Sequence, residues 1–201
     1  MSNTSNKTRK LVEIGMLGAI ATVLMLFEFP LPFIAPPFYE LDFSEVPVLV
    51  GAFALGPMAG ATIELIKILI NLLINGTVTA FVGEIGNYIL GCSFIIPAAL
   101  IYKKHKSKKN AVVAMIVGTV VMTVFGCFLN AYVLLPTYAA AFGMPIDAII
   151  GMGSAINGNI TNVMTFVILA VAPFNILKGI VVSVITLLIY KHISPILKGN
   201  R

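Results

Sequence analysis

Charge is what this sequence has least of. Only 10% of its 201 residues are Asp, Glu, Lys or Arg, where a soluble domain carries about 25%. Such a chain cannot present an ordinary hydrated surface, so lipid must cover much of it. Cysteine is scarce too. Cys92 and Cys127 stand in apolar runs without metal-type spacing, which argues for packing residues and against a metal site or a disulfide. The two histidines, His105 and His192, lie among basic residues and read as solvated side chains. Enzyme signatures are missing as well: there is no HExxH, no glycine-rich phosphate loop ending in Gly-Lys-Ser/Thr, and no Gly-x-Ser-x-Gly. The run Gly151-Met-Gly-Ser-Ala follows no strand and reads as a flexible loop. The chain is therefore read as a non-enzyme without cofactor. Lacking a nucleotide site, it cannot energise uphill transport by itself.

What the sequence has in abundance is apolar length. It is 59% hydrophobic with a mean hydropathy of +1.01. A bilayer core of ~30 Å takes about 20 apolar residues per helix, which leaves room for about five to seven spans and no second domain. The basic residues are concentrated: of 13 Lys and Arg, 11 fall in three polar segments, namely Lys7, Arg9 and Lys10; Lys103, Lys104, Lys106, Lys108 and Lys109; and Lys191, Lys198 and Arg201. Lys/Arg-rich flanks resist translocation, so these segments are placed on the cytoplasmic side. The net charge of +5 is thus a topology signal and not a nucleic-acid footprint. The acids Glu28, Glu40, Asp42, Glu45 and Asp147 fall in or near the stretches left for the outside.

Proline, glycine and the polar segments punctuate the chain into six helices, expected at about 11–29, 45–55, 58–74, 83–102, 111–135 and 163–190. The expected fold is all-α: a six-helix integral membrane bundle, one domain over 1–201, with both termini cytoplasmic. The first apolar run is longer than a signal-peptide core and has no small-x-small cleavage site, so it is read as a retained helix. The 11-residue second helix is short for a full crossing. External loops are expected at 33–44, 75–82 and through Pro136 to Asn162, and the last helix is expected to be interrupted at Pro173.

The residues that do not belong in lipid are the most informative. An ionisable side chain at a helix centre costs ~2.5–3.5 kcal/mol on insertion scales and normally faces the bundle interior or a cavity. Glu64 and Lys67 are three apart on one helix face, so an internal ion pair or a site role are both open. Glu84 opens the fourth helix, where it either sits in the interface by the positive helix end or faces a pocket. Lys178 has no acid within four residues, so its partner comes from another helix, the backbone or a ligand. Asn175 shares its face, three residues away. Asn130 lies near the outer end of helix five. Asn71 and Asn87 read as interhelical hydrogen-bonding groups. Asn130, Asn175, Lys178 and Glu84, with the external loops, suit an outward-opening pocket for a flat, mostly apolar ligand with a few hydrogen-bonding edges. A bare ion would want more carboxylates or a carbonyl ring. Phe33, Phe38, Tyr39 and Phe81 read either as a lid or as an interfacial aromatic belt.

Several stretches resemble one family, the riboflavin-binding substrate-binding (S) components of energy-coupling-factor (ECF) vitamin transporters. They are Leu41-Asp-Phe-Ser-Glu-Val-Pro, Gly51-Ala-Phe-Ala-Leu-Gly-Pro-Met-Ala-Gly, Glu64-Leu-Ile-Lys67, Gly83-Glu-Ile-Gly-Asn87-Tyr, Asn130 with Tyr132 and Pro136-Thr-Tyr, and Pro173-Phe-Asn175-Ile-Leu-Lys178-Gly. The resemblance covers nearly the whole chain. It implies a six-helix protein of the bacterial plasma membrane, with riboflavin as transported ligand bound near the external face. The implied partners are a coupling membrane subunit and two ATPase subunits. Carried over by position, Asn130, Asn175 and Lys178 bond the polar edge of the isoalloxazine ring, while Leu41, Thr79, Ala80 and Glu84 approach the ring or the ribityl hydroxyls. The family docks on its coupling subunit through a small-x-x-x-small motif on helix one. Here the matching stretch is Gly15-Met-Leu-Gly-Ala19, with Gly18 and Thr22 offset. Gly15 departs from the family's usual alanine, and packing within the same chain is the competing reading. The other readings are an intramembrane acid–base enzyme using Glu64, Lys67 or Glu84, a solitary facilitator or channel, or an S component for another vitamin. Thiamine, being cationic, fits poorly beside Lys178.

Overall fold

A computed structural model describes the backbone of residues 2–77 and 79–198, and the side chains of 6–77 and 79–190. Arg201 and the side chains of Lys191, His192 and Lys198 lie outside the described residues. The chain is overwhelmingly helical. In order come α1 (Ser2–Met25), strands β1 (Phe29–Pro30) and β2 (Glu40–Leu41), α2 (Glu45–Leu55), α3 (Pro57–Asn75), α4 (Val82–Lys104) and α5 (Lys108–Leu129). A π-helical turn at Asn130–Leu134 leads into α6 (Leu135–Phe142), followed by α7 (Ile146–Ser154) and α8 (Val163–Phe166). A second π-helical turn, Val167–Val171, joins α8 to α9 (Ala172–Lys198).

Four stretches among the described residues are long and apolar enough to cross a bilayer: Pro57–Asn75, Val82–Lys104, Lys108–Phe142 and Val163–Tyr190. The short apolar helix Glu45–Leu55 is the expected second helix. The first helix begins earlier than its apolar run and stops at Met25, four residues short of the expected end. The chain uses the difference for a small hairpin, in which Phe29 pairs with Leu41 and Pro30 with Glu40 in antiparallel register.

Two helix breaks expected at prolines do not occur. Pro136 and Pro173 each lie just beyond a π-helical turn, at the second position of the helix that follows. A π turn shifts the hydrogen-bond register by one, so a carbonyl that proline cannot serve is passed over and the helix runs on. The first such run ends at Gly143, whose φ of 63° is the left-handed cap glycine favours. The external connection at 136–162 accordingly holds α6 and α7, where an irregular loop was expected.

Packing divides into two apolar cores. One joins α1–α5 with the latter part of α9, and includes Phe53 stacked on Tyr102 with Tyr190 edge-on to both. The other gathers the hairpin, α6, α7, α8, both π turns and Phe174. Helices approach closely where side chains are small: a Cβ at Gly118 of α5 would stand 2.6 Å from the Phe94 carbonyl oxygen of α4. Between lipid-soaked helices, such contact is the main packing force. Buried polar side chains are interleaved among these apolar residues.

Candidate solute-binding site

The intramembrane charges form two groups. In the first, Lys67 Nζ of α3 lies 2.8 Å from Glu64 Oε1 and 3.0 Å from Glu45 Oε1. Glu64 and Lys67 are wholly buried and Glu45 is 2% exposed. The expected Glu64–Lys67 pair is therefore present, and Glu45 at the start of α2 belongs to it too. Gly91 of α4 makes room for the group, because a Cβ there would stand 2.5 Å from Glu64 Oε1 and 3.0 Å from Glu45 Oε1.

In the second group, Lys178 of α9 finds its acid in Asp42, in the link between β2 and α2, at 3.3 Å. Asp42 is 1% exposed, and its Oδ1 accepts from the Ser44 N–H at 2.6 Å. Burial alone would raise the Asp42 pKa, but the Lys178 and Lys67 ammoniums and the Ser44 bonds outweigh it and hold it below the usual carboxylate value. Sequence spacing could not find this pair across 136 residues.

A cavity of about 160 Å³ opens beside these charges. Five of the seven expected ligand residues line it: Asn130, Asn175, Lys178, Glu84 and Thr79. Asn130 heads the first π turn, and Asn175 follows the second by a single helical turn, so register-shifted backbone carries both amides; π turns recur at functional sites. Asn130 donates from Nδ2 to the Gly126 carbonyl, and its Oδ1 accepts from the Tyr39 hydroxyl. Asn175 Nδ2 is buried without a hydrogen-bond partner, and an unpaired amide is costly there. Also at the cavity, the Thr79 hydroxyl donates to Glu84 Oε2 at 2.8 Å and accepts from the Gly83 N–H at 3.0 Å, which fixes Glu84 in the first turn of α4.

The other two expected residues are not on the cavity wall. Leu41 turns into the apolar core, because its strand pairing with Phe29 points the side chain inward. Ala80 is exposed on a turn with φ 51°, next to Phe81 at φ 68°. The aromatic residues divide: Phe38 and Tyr39 line the cavity and pack on Tyr138 and Phe174, while Phe33 and Phe81 are exposed. Asn71 and Asn87 also line the cavity, and Asn71 accepts from Asn75 one turn along its own helix, so its described partner is not interhelical. On α1 the small residues divide as well. Gly18 packs against Ile66 of α3, whereas Gly15 and Ala19 face outward.

Four helices long and apolar enough to cross a bilayer, with buried charges beside a cavity, are the features of a polytopic membrane protein with room for a small solute. The comparisons with known proteins agree. Residues 9–190 match the family model of the ECF transporter substrate-specific component, and the chain belongs to that family. It is 38% identical over 96% of its length to the riboflavin transporter RibU of Staphylococcus aureus (strain TCH60), covering 94% of that protein. It is 36% identical to the riboflavin transporter FmnP of Bacillus subtilis (strain 168), covering 97% of each chain. The solved structure described as the S component of a bacterial ECF transporter superposes with a TM-score of 0.75 at 38% identity, over 96% of this chain and 99% of that one. The chain is thus a multi-pass protein of the cell membrane.

Proposed function

We propose that the chain is the riboflavin-binding subunit of an ECF-type uptake transporter, energised by separate ATPase and coupling subunits. The observation that carries this reading is the convergence of Asn130, Asn175, Lys178, Glu84 and Thr79 on one cavity. The amides and ammonium suit the carbonyl and ring-nitrogen edge of the flavin; the carboxylate and hydroxyl suit the ribityl chain. The names of the relatives supply the vitamin. All six apolar helices cross the membrane in this reading, as a single domain. The cavity sits by the first turn of α4, whose other end carries Lys103 and Lys104. A 23-residue helix spans about 34 Å; with the basic loop at 103–109 taken as cytoplasmic, this reading has the cavity outside and both termini inside.

Capture outside would be followed by release inside, once the coupling subunit engages the outward face of α1 at Gly15 and Ala19. Gly18 has no place in that contact, being packed against Ile66. The test is titration of the purified, detergent-solubilised chain with riboflavin. Saturable quenching of flavin fluorescence is expected, and its absence overturns the assignment.

A further inference from the structure

Lys178 lines the cavity but Asp42 does not. The carboxylate stands behind the ammonium, in protein, and is held from its other oxygen by the Ser44 N–H. An ammonium has three donors, and Asp42 accepts the one hydrogen bond described for Lys178, so the remaining capacity points to the cavity. Without a counter-charge, a lysine so buried is driven toward its neutral form or toward another arrangement. Among the described residues Asp42 is the one acid within ion-pair distance of Lys178: Glu45 and Glu64 pair with Lys67, Glu84 accepts from Thr79, and Glu28 and Glu40, though on the cavity wall, are half-buried and exposed.

We propose that Asp42 is a positioning residue for the ligand: it keeps the Lys178 side chain charged and aimed into the cavity without itself touching the bound molecule. This deepens the riboflavin-binding reading and rests on it. It also ties the link before α2 to α9.

Flavin titrations of the full-length solubilised chain test it. Asp42→Asn is expected to weaken riboflavin binding about 10-fold or more. Asp42→Glu, which keeps the charge, should recover most of the loss. On a Lys178→Met background, Asp42→Asn should cost nothing further, since Asp42 acts only through the lysine. Equal losses with and without Lys178 would mean a merely structural role and overturn the proposal. Tighter binding by Asp42→Asn would overturn it as well, by showing that Asp42 competes with the ligand. Should Asp42→Asn not fold, the exchange of Asp42→Lys with Lys178→Asp keeps the ion pair but moves the ammonium behind the wall. Loss of binding by the folded exchange variant supports the proposal, and retained affinity overturns it. A wild-type chain that takes up no riboflavin would instead fault the assigned ligand.

Discussion

Two lysines stand inside apolar helices of this protein, and their surroundings differ in the way that separates a structural charge from a working one. Lys67 is wholly buried, with carboxylates at 2.8 and 3.0 Å and a glycine opposite to admit them. Lys178 has one carboxylate, at 3.3 Å, and an open side on a cavity shared with two asparagines. Both arrangements offset the cost of a charge in a low-dielectric interior. Of the two lysines, Lys178 is the one on the cavity wall, although Glu45 of the first group reaches that wall too. The first group clamps α2 to α3, while the second is the group proposed above to hold the ligand.

The largest effect expected from breaking this contrast is on folding. Lys67→Met would leave Glu45 and Glu64 buried without their cation, a loss of about 3–5 kcal/mol, read as a collapse of the thermal unfolding temperature in detergent. Lys178→Met should destabilise less, because it strands a single carboxylate in a loop link. It should weaken riboflavin binding about 10- to 100-fold, as befits a lost charge-assisted hydrogen bond. Next comes Asn175→Ala. Its Nδ2 has no partner to lose, so affinity should fall about 3- to 10-fold while the ligand-free unfolding temperature stays near wild type. Tyr39→Phe removes only the hydroxyl that Asn130 accepts and should change affinity by a few-fold.

The smallest effect concerns Glu28, in the turn between α1 and the hairpin. Its pKa is pushed up to about 7 by burial, then by Glu40 and Asp42, against the pull of Lys178 and Lys67. A carboxyl whose pKa is higher folded than unfolded binds more protons in the native state between the two values. Its contribution is therefore full below the unfolded value of about 4.5 and is lost as pH rises toward about 7. The unfolding temperature should decline slightly across that window, and Glu28→Gln should flatten the decline. The group is half exposed, so solvent screening keeps the slope small.

How much of this was legible beforehand depends on the range of the interaction. Helix positions followed from apolar length and from proline and glycine punctuation, and α2 agreed to the residue. Glu64 with Lys67 was readable because helical spacing links neighbours three apart. Glu45 and Asp42 were not, since their partners lie 22 and 136 residues away and nothing local marks an acid as buried. The π turns escaped notice because proline ordinarily stops a helix and no local signal announces a register shift. Asn130, Asn175 and Lys178 were found because a polar group stranded in apolar sequence is conspicuous whatever its partner. Leu41 and Ala80 came only from resemblance in loops, and there the structure puts them off the cavity wall.

The central claim is that the cavity closed by Lys178, Asn130 and Asn175 holds riboflavin. A fluorescence titration of the solubilised chain and its Lys178→Met variant, side by side, tests it most directly. Saturable quenching by the wild type, shifted at least about 10-fold in the variant, is the predicted result. Equal affinity in the two, or no quenching by the wild type, would contradict it.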